Sequence, residues 1–248
     1  MSRFEGIYAL WLREFIVFTR ERSRIVTSIF SPILWLFAFG AGLGSSIKIG
    51  DLNYQLFIYP GILAQTILFS GVFYGVYVVW DRKIDILKAV LVAPLSRTSI
   101  FVGKVLGGCT DSMIQAFVML LISFALGIHL TPIGFLFSLL FIFLLALSLV
   151  STGLIIGSLM ESPEGFNMVV SFLVFPLFFF SGALFPLDNI PFWLSIITYL
   201  DPVTYGVDGL RTVILGVSQF PFYVDLGVLA VFAAVMFTVG TKAFDRMK

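Results

Sequence analysis

Long uncharged runs of apolar residues alternate along this chain with shorter segments that carry most of its charge. A helix needs roughly 20 apolar residues to cross a hydrocarbon core about 30 Å thick. Six segments meet this requirement: residues 25–47, 52–80, 105–128, 133–160, 166–187 and 222–241. The pattern predicts an all-α integral membrane protein, with six transmembrane helices in a single domain over residues 1–248.

Two segments outside these spans have a different pattern. Apolar residues recur at helical spacing among the charges of residues 1–24, which predicts an N-terminal amphipathic interface helix. This helix could take part in gating or simply anchor the first span. Residues 188–221 hold a short apolar stretch interrupted by Pro191, so we expect an outer re-entrant helical hairpin between spans five and six.

The composition supports a membrane protein and excludes several other classes. Hydrophobic residues make up 59% of the chain and charged residues 12%, about half the usual share of charge in soluble proteins. The net charge of +1 gives no reason to expect a nucleic-acid partner. Cys109 and His129 are the only residues of their kinds, which argues against an internal disulfide, a zinc site or a histidine-dependent triad.

The distribution of Lys and Arg predicts the orientation, because short cytoplasmic loops collect positive charge. With the N terminus inside, thirteen of the fifteen basic residues fall in cytoplasmic segments, and only Lys48 and Arg211 fall outside. We therefore expect both termini in the cytosol.

Residues 81–97 join the second and third predicted spans. Asp81 is a candidate N-cap, Ile84, Leu87 and Leu91 fall on one helical face, and Pro94 ends the helix. The segment is predicted to form a short amphipathic helix, whose apolar face needs either the membrane interface or another protein to cover it.

Residues 80–82 (Trp-Asp-Arg), 91–97 (Leu-Val-Ala-Pro-Leu-Ser-Arg) and 103–104 (Gly-Lys) resemble the cytosolic loop of the ABC-2 family of ATP-binding-cassette export permeases. Further matches lie before the last span, at residues 181–186 (Ser-Gly-Ala-Leu-Phe-Pro), 191–194 (Pro-Phe-Trp-Leu), 201–205 (Asp-Pro-Val-Thr-Tyr) and 208–211 (Asp-Gly-Leu-Arg). Two positions depart from the family: Asp201, where Asn is frequent, and Asp85, where Gly is common.

The resemblance implies the permease subunit of an ATP-driven exporter in the plasma membrane of a prokaryote. The substrate would be an amphiphilic, drug-like, lipid or glycan molecule. The chain has no Gly-x-x-x-x-Gly-Lys-Ser/Thr sequence, so it is not expected to be an enzyme or to carry a cofactor. ATP and Mg are expected on two copies of a separate ABC ATPase subunit. A second copy of the permease and membrane lipid complete the expected partners, since one chain has too few spans to enclose a conduit.

The resemblance also assigns roles in the 81–97 segment. The residues expected to couple the permease to the ATPase are Asp81, Ile84, Leu87, Leu91 and Pro94. The alternatives are an ion-coupled secondary carrier or channel and a membrane-embedded enzyme. Carriers bury several ionisable residues, whereas only Asp111 lies well inside a predicted span, and the sequence shows no catalytic grouping.

Two sets of residues are candidates for the substrate pathway. Asp111 and Gln115 share one face of the third span, although Asp111 could instead pair with a basic residue such as Lys104. Spacing also places three phenylalanines on one face of the fifth span, which we expect Pro176 to kink. These aromatic candidates, together with Leu184, are Phe172, Phe175 and Phe179. Lipid contact or core packing is the alternative for them.

Asp208 and Arg211 form the last candidate pair. They are i, i+3 neighbours if residues 204–215 form a short helix. We expect this pair to hold an outer gate closed or to anchor the structure.

Four Gly-x-x-x-Gly pairs predict close helix packing, within the chain rather than at a dimer face. They are Gly40/Gly44, Gly71/Gly75, Gly103/Gly107 and Gly153/Gly157.

Overall fold

A computed structural model of the chain describes residues 3–44, 48–49, 52–86, 95–188 and 190–247. Nearly all of these residues are helical. The helices are α1 (Arg3–Arg20), α2 (Arg22–Gly44), α3 (Tyr54–Phe73), α4 (Val76–Lys83), α5 (Arg97–Ala125), α6 (Pro132–Leu159), α7 (Pro163–Phe180), α8 (Phe192–Leu200), α9 (Pro202–Leu215) and α10 (Phe222–Asp245). Two short strands, β1 (Lys48–Ile49) and β2 (Leu52–Asn53), pair antiparallel between α2 and α3.

Within the described residues, five helical segments are long and apolar enough to cross a membrane. They are α3 with α4 as one unit (Tyr54–Lys83), α5, α6, α7 and α10. The predicted first span coincides with α2, whose uninterrupted apolar stretch, Val26–Gly40, is shorter. The chain is thus an all-helical, multi-pass membrane protein.

Two helices differ in extent from the predicted spans. The third span was expected at residues 105–128, and α5 already begins at Arg97, where the Ser96 hydroxyl caps it by accepting from the Ser99 N–H at 3.1 Å. The fifth was expected to reach residue 187, but α7 ends at Phe180. The chain turns there because Gly182 adopts a left-handed conformation, with φ of 71°.

Helix α3 forms the centre of the bundle. It packs against α2, α5, α6 and α9, and Ile58, Ile62, Leu63 and Ile67 are fully buried. A helix that is buried over most of its surface has little need of a polar face, which explains the mainly apolar sequence of α3.

Glycines allow the helices to approach closely where α3 and α4 cross α6. A Cβ atom at Gly75 would overlap the Gly153 carbonyl, and one at Gly153 would overlap the Val72 carbonyl. At Gly103 and Gly107, the neighbouring side chains are Leu10 and Glu14 of α1. The predicted intrachain packing of these glycine pairs is confirmed.

Helices α8 and α9 form the predicted helical segment before the last span, and α9 confirms the helix expected at residues 204–215. Asp201 joins them and caps α9, accepting from the Val203 N–H at 2.8 Å. The Thr198 hydroxyl ties α8 to α7 by donating to the Phe180 carbonyl at 2.8 Å. Since α9 packs on α3, α6 and α10, it belongs to the bundle, whereas Phe192, Trp193 and Leu200 of α8 remain exposed.

Candidate functional site

Four charged side chains from three helices meet at the end of the bundle where α1 lies. Lys104 of α5 donates to Asp81 of α4 at 2.6 Å and to Glu14 of α1 at 3.0 Å. Arg13 donates to both oxygens of Asp81, at 2.6 and 3.1 Å, and to Glu14 at 3.1 Å. We call these residues, Arg13, Glu14, Asp81 and Lys104, the ion-pair cluster. It holds two positive and two negative side chains.

The ion-pair cluster is largely removed from solvent. The Lys104 side chain is 1% exposed, and those of Glu14 and Asp81 are 5% and 8% exposed. Hydrogen bonding from Arg13 to Asp81 raises the pKa of the Arg13 guanidinium. Removing one member of such a network leaves a buried charge without compensation, which typically costs about 3–5 kcal/mol.

Tyrosines extend the cluster along α1. The Tyr74 hydroxyl donates to Glu14 at 2.9 Å, and the Tyr77 hydroxyl donates to Glu21 at 2.7 Å. The Trp11 indole donates to Thr110 of α5 at 3.0 Å. The predicted interface helix therefore lies against α4 and α5 along much of its length, with Phe4 and Tyr8 left exposed.

The cluster lies next to the segment predicted to couple the permease to an ATPase. Asp81 lies in the last turn of α4, so the prediction that it caps the start of a new helix is wrong. Ile84 is 57% exposed in the turn that follows. Asp85 has a φ of 60°, in the left-handed region that favours glycine, which explains why glycine suits this position. Leu87, Leu91 and Pro94 lie outside the described residues.

A cavity of about 450 Å³ lies beside the middle of α3. Most of its lining comes from α2 and α3, and α4, α5 and α7 contribute the rest. Helices α2 and α7 meet where Trp35 contacts Phe178 edge-on, with 6.0 Å between ring centroids. Its aromatic lining residues are Trp35, Phe69, Phe73, Tyr77 and Phe175. Its other lining residues that can form hydrogen bonds are Thr27, Ser28, Ser31, Gln65, Thr66, Ser70 and Gln115, and the hydroxyl of Tyr77 belongs with them. We call it the central cavity.

Polar side chains of the lining are fixed by hydrogen bonds to residues behind the cavity. Gln115 donates through its Nε2 to Asp111, which confirms that these two residues share a face. The Ser70 hydroxyl donates to that of Ser112 at 2.9 Å. Lys104 hydrogen-bonds with Glu14 and Asp81. The pairing of Asp111 with Lys104, considered from sequence, is therefore replaced by its bond with Gln115.

Of the aromatic pathway candidates, only Phe175 lines the central cavity. Phe172 is 85% exposed and lies in an outer apolar groove that Phe175 also borders. Phe179 lines another apolar groove with Phe185, again next to Phe175. Leu184 packs against the core from the turn after α7. Of the six candidates, Gln115 and Phe175 lie on the central cavity, while Gln65 and Trp35 were not recognised from the sequence.

At the opposite end of the bundle, Asp208 and Arg211 are buried but bind mainly to other groups. Arg211 donates to the Gly182 carbonyl at 2.8 Å and lies 4.2 Å from the Phe57 ring centroid. The Asp208 carboxylate accepts from the backbone N–H groups of Gln219 and Phe220 at 2.8–3.0 Å. Its distance to Arg211 is 4.0 Å. Burial raises the pKa of Asp208 and lowers that of Arg211 to about 10.

Long apolar helices, a buried ion-pair cluster and a cavity between helices define a membrane protein of the permease type. The chain belongs to the ABC-2 type transporter family, whose family model matches residues 5–215. The resemblance seen in residues 80–104 and 181–211 is confirmed. The family consists of transport permeases.

Individual relatives extend the match over most of the chain. It is 35% identical over 212 residues to the transport permease ycf38 of Cyanophora paradoxa, covering 84% of this chain and 73% of that protein. It is 27% identical over 255 residues to the inner membrane transport permease YadH of Escherichia coli K12, covering 97% and 95%. It is 25% identical over 242 residues to Nodulation protein J of Rhizobium leguminosarum bv. viciae, covering 96% and 93%.

Proposed function

We propose that this chain is the membrane subunit of an ATP-driven exporter that moves an amphiphilic, drug-like, lipid or glycan substrate out of a prokaryotic cytoplasm. It crosses the plasma membrane six times, with α2 as the first span and both termini in the cytosol. Two copies of the chain work with two copies of a separate ABC ATPase, which binds ATP and Mg.

The ion-pair cluster is the observation that carries this proposal. Asp81 is the first residue of the 81–97 segment, Lys104 lies in the helix that follows the segment, and both bind to α1. A displacement of the segment would therefore move the ends of α4 and α5 together with α1. ATP-driven transport requires such a connection between the site where the ATPase binds and the spans.

The open side of the central cavity supports the second copy of the permease. The wall helices α2 and α7 expose large apolar side chains, including Phe30, Leu34, Phe37, Met168 and Phe172. A second copy of the same two helices would complete the enclosure that one chain begins. We place the translocation pathway in this space, with Gln115 and Phe175 on its wall.

The proposal is tested by purifying the tagged chain from its native host and measuring vanadate-sensitive ATP hydrolysis in the purified complex. Leu87→Asp would place a carboxylate on the apolar face predicted for the coupling segment, which should cost several kcal/mol of association. We expect the variant to insert normally but to lose the ATPase and transport together. The control is Lys242→Asp, which places a carboxylate at an exposed position near the end of α10 and should leave the ATPase complex and transport in place. A full-strength ATPase complex with Leu87→Asp would overturn the coupling assignment. ATP-independent transport that stops with a protonophore would favour the ion-coupled carrier.

A further inference from the structure

We infer that the central cavity binds an uncharged amphiphile whose head group donates hydrogen bonds, as the hydroxyls of a glycoside or the N–H groups of an amide do. The inference rests on the proposed function, because it names the class of substrate that would use the pathway. The evidence for it is which polar groups around the cavity have a hydrogen-bond partner within the protein and which do not.

Two amide oxygens beside the cavity lack donors. Gln115 donates through Nε2 to Asp111, and its Oε1 has no partner within the described residues. Oε1 of Gln65 is likewise buried without a partner there. A buried acceptor without a donor is destabilising, so a ligand that supplies a donor gains affinity. The terminal torsion of a glutamine is broad, which allows the Gln65 amide to turn toward a ligand.

Four hydroxyl groups of the cavity already donate within the protein. Thr66 donates to the Ile62 carbonyl at 2.9 Å, and Thr27 donates to the Ser23 carbonyl at 2.9 Å. Ser70 donates to Ser112 at 2.9 Å, and Tyr77 donates to Glu21 at 2.7 Å. Because the buried cavity atoms found without a partner among the described residues are both acceptors, the cavity matches a ligand that brings donors. Carboxylates and phosphates bring only acceptors when ionised.

The lining also argues against a charged ligand. The lining residues of the cavity include no Asp, Glu, Lys or Arg. Trp35, Phe69 and Phe175 supply apolar ring surfaces for the hydrocarbon part of an amphiphile. A volume of about 450 Å³ falls in the range of small-molecule sites. Two acids lie behind lining residues, where Asp111 accepts a hydrogen bond from Gln115 and Glu21 accepts one from Tyr77.

The test uses the full chain in phosphatidylcholine nanodiscs, without an ATPase. The probe is a dodecyl glucoside that carries a photoreactive diazirine in its alkyl tail, and labelled peptides are identified by mass spectrometry. We expect saturable labelling of α2, α3 and α7 around Trp35, Phe69 and Phe175. Unlabelled dodecyl glucoside should compete at least tenfold better than its fully O-methylated analogue, which keeps the shape and the acceptors but has no donor.

Two further competitors separate the ligand classes. Dodecyl phosphate and dodecylamine, as anionic and cationic probes, should each compete at least tenfold more weakly than dodecyl glucoside. Equal competition by the methylated analogue would overturn the role of the donors. Preferential competition by dodecylamine that disappears in Asp111→Asn would show a cation site instead. Labelling that no competitor reduces would show lipid-like contact only and would also overturn the inference.

A matched pair of variants on α3 tests the acceptor. Gln65→Leu should weaken glucoside binding about threefold to tenfold, the effect of one hydrogen bond. Gln55→Leu makes the same change on the same helix away from the cavity and should leave binding unchanged. If Gln65→Leu does not fold, the methylated analogue still decides the question with the unmodified chain. Because no ATPase is present, a failure here leaves the proposed coupling intact, and loss of ATPase association leaves the binding result intact.

Discussion

The two ends of the helix bundle hold buried charge in different ways. At the α1 end, Arg13, Glu14, Asp81 and Lys104 balance one another in charge and share hydrogen bonds. At the other end, the buried charged residues that the structure describes are one base, Arg211, and three acids, Asp201, Asp208 and Asp225. Phe57 contacts Arg211 at one end and Tyr74 contacts Glu14 at the other, and their separation of 17 positions corresponds to about 25 Å of helix.

The acids at the α9 end are less fully paired. Both carboxylate oxygens of Asp225 and one of Asp201 have no hydrogen-bond partner within the described residues. Burying a polar group without a partner costs free energy, so this end is less optimised for a single conformation. The comparison indicates that the α1 end is held together more fully than the α9 end, as the proposed role of the α1 end in transmitting movement requires.

The largest change in stability is expected when the lysine of the ion-pair cluster is removed, which would abolish the difference between the two ends. Lys104→Met leaves two acids facing Arg13 alone, and we expect a loss of about 3–5 kcal/mol in the free energy of unfolding. Denaturant-induced unfolding of the purified chain, followed by tryptophan fluorescence, measures it. Lys242→Met, at an exposed lysine near the end of α10, should change stability by less than about 0.5 kcal/mol.

A second change separates charge balance from packing. Glu14→Gln added to Lys104→Met restores neutrality, so the double variant should be more stable than Lys104→Met alone. If Lys104→Met is as stable as the unmodified chain, the cluster does not hold the α1 end together.

The next prediction concerns Asp201 at the α9 end. Burial raises the pKa of Asp201 to about 8, against 3.8 for an unperturbed aspartate. The folded chain thus favours the protonated form, and this contribution to stability is full below pH 3.8 and falls as the pH rises toward 8. Asp201→Asn keeps an oxygen to accept from Val203 and removes the titration. We expect the variant to be more stable at pH 8 by about 1–3 kcal/mol.

Unfolding measured from pH 5 to pH 8.5 checks this prediction. The difference between Asp201→Asn and the unmodified chain should grow with pH across this range. A difference that stays constant would mean that Asp201 does not titrate in the folded chain.

The sequence predicted the helical class, the family and most helix positions, because apolar runs and local motifs determine them. It did not predict the ion-pair cluster, since Arg13 and Asp81 are separated by 68 positions and nothing in either segment identifies the other. The predicted third span began only after Lys104 for the same reason: the lysine is buried within α5 because its partners come from other helices. Gln65 was missed because its cavity exists only when α2, α5 and α7 surround α3.

A smaller effect is expected for the Asp208–Arg211 pair. Asp208 accepts mainly from backbone N–H groups and Arg211 donates to a carbonyl, so each has partners other than the opposite charge. In a double-mutant cycle with Asp208→Asn and Arg211→Met, we expect a coupling energy below about 1 kcal/mol. A larger coupling energy, or recovery of transport when the two charges are exchanged, would support the prediction that this pair holds an outer gate closed.

The smallest expected effect lies just beyond the ion-pair cluster, at Asp85. Its φ of 60° is strained for a residue with a Cβ atom, and the left-handed conformation costs an ordinary residue roughly 1–2 kcal/mol. Asp85→Ala and Asp85→Gly both remove the carboxylate, so the difference between them isolates the backbone. Part of the advantage of glycine is offset by its greater freedom in the unfolded chain. We therefore expect Asp85→Gly to be more stable than Asp85→Ala by about 0.5–1 kcal/mol.

Hydrogen exchange at residues 84–86 together with global unfolding measures this difference, and equal stability of the two variants would show that the turn after α4 relaxes freely. Such a result would also weaken the contrast between the two ends, because a rigid α1 end requires the chain that leaves the cluster to keep its conformation.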